Sequence, residues 1–186
     1  MQTDTIILKT ERLILVPQGL DDAGDLLRYY DRNRLNFQPW VPARDESFFT
    51  IQSMRDRIST AQARMKDQQS LHFVLRGLDS AEIIGECGFT NIVRGPFQAC
   101  HLGFSICERH EGQGLMYEAL FCTIGFIFRE LVLHRVMANY RPENGRSHQL
   151  LQRLGFEQEG RARSYLKIDG KWRDHILSSL INETLS

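Results

Sequence analysis

The hydrophobic positions change period several times along the chain, and each change marks an element. In "TIILKTERLILVP" Leu13 and Leu15 alternate with Arg12 and Ile14, which predicts one or two short strands. Asp21 or Asp22 can cap a helix running to about Arg34, and Pro39 and Pro42, flanking Trp40, stop it. Between Ser47 and Asp67, the residues Phe48, Ile51, Met54, Ile58, Ala61 and Met65 recur every three or four positions, so a second helix buries one stripe. The period then falls to two. Residues 71–77 and 82–93 read as strands joined by a turn at Leu78 to Ala81, and Arg94-Gly95-Pro96 makes the next turn. In the strand 97–107, Leu102, Phe104 and Ile106 share one face and His101, Gly103 and Ser105 the other. After a loop at 108–114, a helix reaches about Glu130. Residues 134–140 read as a strand, and Asn144 to Leu154 as a helix closed by Gly155. Residues 156–168 and 172–181 form a hairpin turned at Asp169-Gly170. This order predicts a mixed α/β, or α+β, fold with an antiparallel centre, not an alternating doubly wound sheet.

Composition adds bounds. With 186 residues, 42% of them hydrophobic and 25% charged, the chain is expected to be one domain, residues 1–186, with a core that needs no staples. The formal net charge of zero argues against a large nucleic-acid footprint. "MQTDTIILKTERL" lacks a basic segment followed by an apolar one, so no secretory leader is expected. The longest apolar-rich run, Leu115 to Phe128, is too short for a bilayer and carries Glu118, so no membrane span is expected. Cys87, Cys100, Cys107 and Cys122 show no C-x-x-C spacing. They read as reduced, mostly buried thiols of a cytoplasmic protein, with no metal site.

The chemistry concentrates in "ERHEGQGLMYEAL", residues 108–120. Gly112 and Gly114 stand directly before an amphipathic helix. The first backbone N–H groups of a helix have no intrahelical partner, and the dipole there is positive. A phosphate satisfies both, and glycines let it approach. The residues leave two readings open: an anion site, or a plain tight turn. A nucleotide-hydrolysing loop is excluded because no Lys-Ser/Thr follows at the required offset. A Rossmann fingerprint fails for want of a third glycine and a surrounding βαβ unit.

Strand, then R-x-x-G-x-G, then amphipathic helix resembles the acetyl-coenzyme A motif of the GNAT N-acetyltransferase superfamily. "NGRSHQLLQRLGF" (144–156) is similar to that family's second helix and following strand. "TERLILVP", "NFQPWVPARDES", "NIVRGPFQACHLGFSI" and "YLKIDGKWRDHILSSL" resemble the branch that acetylates ribosomal-protein N-termini, its ribosomal-protein-alanine type closest of all. The resemblance spans residues 9 to 182 and implies a mostly antiparallel, seven-stranded mixed sheet flanked by about four helices. It implies acetyl-CoA as co-substrate, no metal, and as partner the N-terminus of a ribosomal protein. A monomer or homodimer with no stable nucleic-acid binding is expected. The coenzyme diphosphate would sit on the backbone amides of Arg109, His110, Glu111, Gly112, Gln113 and Gly114 and on the first turn at Leu115 and Met116. Backbone of Phe104, Ser105 and Ile106 would hold the pantetheine arm, in a cleft where this strand splays from the next. Asn144 would bind the arm, and Ser147 would protonate the departing thiolate.

The reaction so implied is attack of a free amine on a thioester. An N-terminal amine, with a pKa of about 8, is roughly one-tenth neutral at pH 7, whereas a lysine amine at about 10.4 is almost wholly charged. An α-amine therefore needs only a modest base, reached through water. Glu86 and His101 are the candidate bases, and the plain alternatives are a solvated strand carboxylate and an exposed strand histidine; the branch often carries a glutamate where His101 stands. A backbone N–H near Ile106 would hold the oxyanion. Tyr140, ending a strand at the cleft, is an alternative acid to Ser147, and Asn144 is also a natural N-cap. Trp40 can line the peptide groove or anchor the core, while Trp172, Arg173 and Asp174 are expected to support the closing hairpin. Acetylation of a small amine and cofactor binding without catalysis are the competing functions. A polycationic small amine would call for a strongly acidic cleft.

Overall fold

The computed structural model describes residues 6–185. Thr5 of the first predicted strand, and residues 1–5 of the segment read for a leader, lie outside the described residues. The elements are β1 (Leu8–Lys9), β2 (Leu13–Pro17), α1 (Ala23–Arg32), α2 (Arg34–Phe37), α3 (Ile51–Lys66), β3 (Leu71–Gly77), β4 (Ile83–Val93) and β5 (Ala99–Ile106), then α4 (Leu115–Glu130), β6 (Arg135–Met137), α5 (Gly145–Arg153), β7 (Glu157–Ile168) and β8 (Lys171–Ile181). The strands form one sheet in the order β1-β2-β3-β4-β5-β6-β8-β7. Every neighbouring pair is antiparallel except β5 and β6, which are parallel. The sheet has eight strands among the described residues, where seven are expected. The N-terminal run folds back on itself, with Thr10 N–H donating to the Leu13 carbonyl at 3.0 Å. The fifth helix is the single turn α2.

Strand alternation assigns the two faces. Leu71, Phe73 and Leu75 of β3, Cys87 and Phe89 of β4, and Cys100 and Leu102 of β5 pack against Leu115, Met116, Ala119, Leu120, Ile124 and Ile127 of α4 and Leu151 of α5. The opposite face carries Val74 and Ile83 against Ala23, Leu26, Tyr29 and Tyr30 of α1 and Met54 and Ile58 of α3. Truncating a fully buried member such as Leu120 costs about 2–5 kcal/mol. Among the described residues, no helix is long and apolar enough to cross a membrane.

Several boundaries move for identifiable reasons. The Asp22 carboxylate does not cap α1; it accepts the Gly19 N–H at 2.7 Å and the Arg76 guanidinium at 2.8 Å. Helix α1 stops at Arg32, not Arg34, because the buried Asn33 side chain takes the helix end. Its Nδ2 donates to the Tyr29 carbonyl at 2.7 Å, and its Oδ1 accepts the Glu108 N–H at 3.1 Å. Helix α3 starts at Ile51, not Ser47, because Thr50 caps it by accepting the Ser53 N–H at 3.2 Å. Ile51 then falls at the helix mouth and is exposed.

The strand expected at 134–140 keeps only Arg135–Met137. Strands β5 and β6 pair at Ala99↔Arg135, Cys100↔Val136 and His101↔Met137, and then part. Tyr140 turns instead to β8, exchanging hydrogen bonds of 3.1 and 2.8 Å with Ile176. Among the described residues, the edge of β5 from Leu102 to Ile106 has no strand partner on that side.

Candidate active site

Gly112 and Gly114 have φ of +74° and +77°, the left-handed region where a side chain strains the backbone. The first bond of α4 runs from the Glu118 N–H to the Gly114 carbonyl at 3.1 Å. Among the described residues, the backbone N–H groups of Gly112 through Tyr117 have no protein acceptor. Such a row of donors at a helix N-terminus is what an anionic group requires. Arg12 holds the loop from behind: its Nη1 donates to the Gln113 carbonyl at 3.0 Å, and its Nε to Glu118 at 2.7 Å.

Not every loop side chain faces the same way. The Arg109 guanidinium pairs with Glu82, and the Gln113 amide donates to the Arg109 carbonyl at 2.9 Å. Neither residue lines the cavity beyond the loop. Both side chains therefore brace the turn. His110, Glu111, Gly112, Gly114, Leu115 and Met116 do line it. The Glu111 carboxylate accepts from Asn36 Nδ2 at 3.1 Å and pairs with Arg146 of α5, tying three segments together across the cofactor end. Asn36 and Arg146 carry no sequence signal for this role.

The cavity measures about 1700 Å³ and draws residues from both faces of the sheet through the parting of β5 and β6. Phe104, Ser105 and Ile106 lie along it. Glu86 stands opposite Ser105 and faces the cavity. Its carboxylate accepts the Tyr30 hydroxyl and, at 3.3 Å, the Gln18 amide. Tyr29 and Ser105 share a 2.8 Å hydrogen bond beside it. Burial, and then the charge of Glu86, push both tyrosine hydroxyls up in pKa, so both remain neutral donors. His101 shares this sheet face but sits opposite Met137, where β5 and β6 still pair. It does not line the cavity, its Nδ1 is buried without a partner, and burial lowers its pKa. The structure thus separates the two candidate bases and brings only Glu86 to the site.

At the far wall, Asn144 Oδ1 accepts the Ser147 N–H at 3.0 Å, capping α5, and both residues line the cavity. Tyr140 lines it too, but its hydroxyl is engaged with His148 Nδ1 at 2.7 Å, and burial raises its pKa. Trp40 lies on the cavity wall, not in the core. The Arg141 guanidinium stacks over it at 5.4 Å from the ring centroid. Asp174 braces the hairpin by accepting from Arg161 at 2.8 Å and from the Ser164 N–H at 2.9 Å, while Trp172 stays exposed. Tyr30, Gln18, Arg44 and Arg57 are site residues that periodicity could not reveal. Tyr30 on α1 and Arg57 on α3 read as core stripe or solvent face, and Gln18 and Arg44 lie in segments without regular structure.

Comparison with known proteins agrees with this geometry. Residues 12–157 match the model of the acetyltransferase (GNAT) domain. The chain is 46% identical over 173 residues to the [ribosomal protein uS5]-alanine N-acetyltransferase of Escherichia coli, covering 93% of this chain and 89% of that one. A ribosomal-protein-S5-alanine acetyltransferase structure from Vibrio fischeri superposes with a TM-score of 0.93 at 36% identity, over 98% of this chain and all of the other. Mycobacterium smegmatis RimJ in complex with CoA-disulfide superposes with a TM-score of 0.88 at 30% identity, over 93% of this chain and 83% of the other. With the loop, the parted strands and this match across most of its length, the chain belongs to the GNAT acetyltransferase family.

Proposed function

We propose that this chain transfers the acetyl group of acetyl-CoA to the α-amino group of an N-terminal alanine or serine of a ribosomal protein, working in the cytoplasm as one catalytic domain, monomeric or homodimeric. The reading rests on one observation above the others: the backbone amides of Gly112 and of Gly114 to Tyr117, without an acceptor among the described residues, stand at a cavity that passes between β5 and β6 to Glu86 on the other face. The amides suit the coenzyme diphosphate, and the free edge of Phe104 to Ile106 suits the amides of its arm. The acceptor amine then enters from the α1–α3 face. The 46% identity to the E. coli uS5-alanine enzyme supports the choice of acceptor.

In this reading Glu86 accepts the amine proton, directly or through one water. Tyr30 and Gln18 orient the carboxylate. The Ser147 hydroxyl, at the first turn of α5, returns a proton to the departing sulfur. The α-amine needs little assistance because a substantial fraction is already neutral at pH 7. A polycationic small amine fits less well, since Arg44, Arg57 and Arg64 all line the acceptor side.

The test is mass spectrometry of peptides carrying free N-terminal alanine or serine after incubation with acetyl-CoA. A gain of one acetyl group on the α-amine, abolished by prior N-terminal blocking, is expected. No gain on any ribosomal N-terminal peptide, with turnover of a small amine instead, overturns the proposal.

A further inference from the structure

Arg44 and Arg57 stand out among the charged residues of the cavity. Arg44 follows the Trp40 segment, and Arg57 comes from the middle of α3. Both guanidiniums lie over the same two rings: Arg44 at 4.6 Å from Tyr30 and 4.2 Å from Phe48, Arg57 at 4.9 and 4.6 Å. Arg57 also donates to the Tyr30 hydroxyl at 3.1 Å. Among the described residues neither has a carboxylate within salt-bridge reach, whereas Arg12, Arg76, Arg141 and Arg146 all do. The nearby carboxylates are committed elsewhere. Glu86 takes Tyr30 and Gln18, and Asp56 takes the Gln52 amide at 2.8 Å.

Two like charges sharing one aromatic platform, with Arg44 half-buried, repel each other and are incompletely solvated. Burial, and Arg57 beside it, lower the pKa of Arg44. A carboxylate placed between the two forks would relieve the repulsion and complete their hydrogen bonds. We propose that Arg44 and Arg57 form a subsite for an acidic side chain of the acceptor peptide. This rests on the acceptor reading above and specifies which peptides it takes. The Glu86–Tyr30–Arg57 chain spans two hydrogen bonds, about 6 Å. That equals roughly two residues of extended chain at about 3.3 Å each. With the acetylated amine at Glu86, an Asp or Glu at the third or fourth position reaches the arginines.

The experiment is steady-state kinetics on alanine-initiated peptides in which one Glu is walked from position 2 to position 6 in a Gly/Ser background, each paired with its Gln isostere. Wild-type enzyme is expected to favour Glu over Gln about tenfold in kcat/KM at position 3 or 4, with little preference elsewhere and a preference that shrinks as salt rises. In Arg44→Gln that ratio falls to about one; in Arg44→Lys it is intermediate. Thermal melts identify any variant that fails to fold, and then the Arg44→Lys ratio decides. A Glu/Gln ratio near one in the wild type, or the wild-type ratio persisting in Arg44→Gln, overturns the subsite. Absence of acetylation on every peptide would instead remove the acceptor reading beneath it.

Discussion

Arg12 and Gln113 lie 101 positions apart in sequence, yet the Arg12 guanidinium donates to the Gln113 carbonyl at 3.0 Å. Arg12 also binds both oxygens of Glu118, through its backbone N–H at 2.8 Å and its Nε at 2.7 Å. The start of β2, the glycine loop and the first turn of α4 therefore form one unit. Drawing the Gln113 carbonyl backwards leaves the amides on the other side of the turn available to a ligand. The loop is thus ordered before anything binds, which spares the ordering cost at binding.

Replacing Arg12 with Ala should loosen this brace. Calorimetric Kd for coenzyme A is expected to rise about tenfold, with a modest loss of stability, because the lost hydrogen bonds to charged groups are each worth about 1.5–3 kcal/mol when well formed. An unchanged Kd would show that the amides are positioned by the loop alone.

Gly112 and Gly114 separate backbone strain from steric fit. A Cβ on Gly112 meets nothing within 4 Å, and one on Gly114 comes only to 3.6 Å of Arg12. Alanine at either site should therefore cost about 1–2 kcal/mol from the positive φ. Thermal denaturation measures this, and coenzyme affinity should fall in parallel as the loop relaxes away from its native turn. Gly88→Ala behaves differently. A Cβ there stands 2.6 Å from His72 Nδ1, so the ring must shift and about 1–3 kcal/mol is lost at a normal φ.

Glu86→Gln keeps the shape and the Tyr30 contact but removes the base. The expected outcome is a fall in kcat of about 10²-fold with coenzyme Kd preserved, and partial recovery as pH rises and more amine is neutral. Undiminished kcat would assign proton transfer to water alone.

Ser147→Ala and Asn144→Ala distinguish acid from cap. The Ser147 substitution should lower kcat about 10–100-fold with little change in melting temperature. The Asn144 substitution removes the cap on α5 and should cost about 1 kcal/mol in stability. If Tyr140→Phe shows the larger kcat effect, the acid is the tyrosine held by His148.

Acid should destabilise the fold before any carboxylate titrates. Burial holds the pKa values of His72 and His101 below the ordinary imidazole range, and His110 is lowered by burial and by Arg109. Their folded-state values lie under the unfolded value of about 6.5, so the unfolded chain takes up more protons in that window. Stability is full above about pH 6.5 and falls as pH drops through the folded values. Urea midpoints between pH 7.5 and 5 should decline, and the double variant His72→Gln, His101→Gln should flatten the slope.

Much of this was legible in one dimension. The extent of helix α4, from just after Gly114 to about Glu130, was readable, as was the closing hairpin turned at Asp169-Gly170. The glycine loop announced itself because a strand, two glycines and a helix are adjacent in the chain, and Asn144 and Ser147 lie one helical turn apart. Local periodicity and backbone preference act over a few residues, so a linear sequence contains them. The sequence by itself also placed Glu86 and His101 on strands near the cleft.

Only tertiary structure decided which of the two lines the cavity. That choice depends on where β5 and β6 part, and the parting depends on Tyr140 pairing with Ile176 of β8, 36 positions onward. Tertiary structure likewise turned the Arg109 side chain to Glu82 instead of the loop, and brought Arg44 and Arg57 from separate segments onto Tyr30 and Phe48. The physical reason is common to all three. Hydrogen bonds and ion pairs are short-ranged in space and indifferent to separation along the chain, so their partners become known only once the layers have packed.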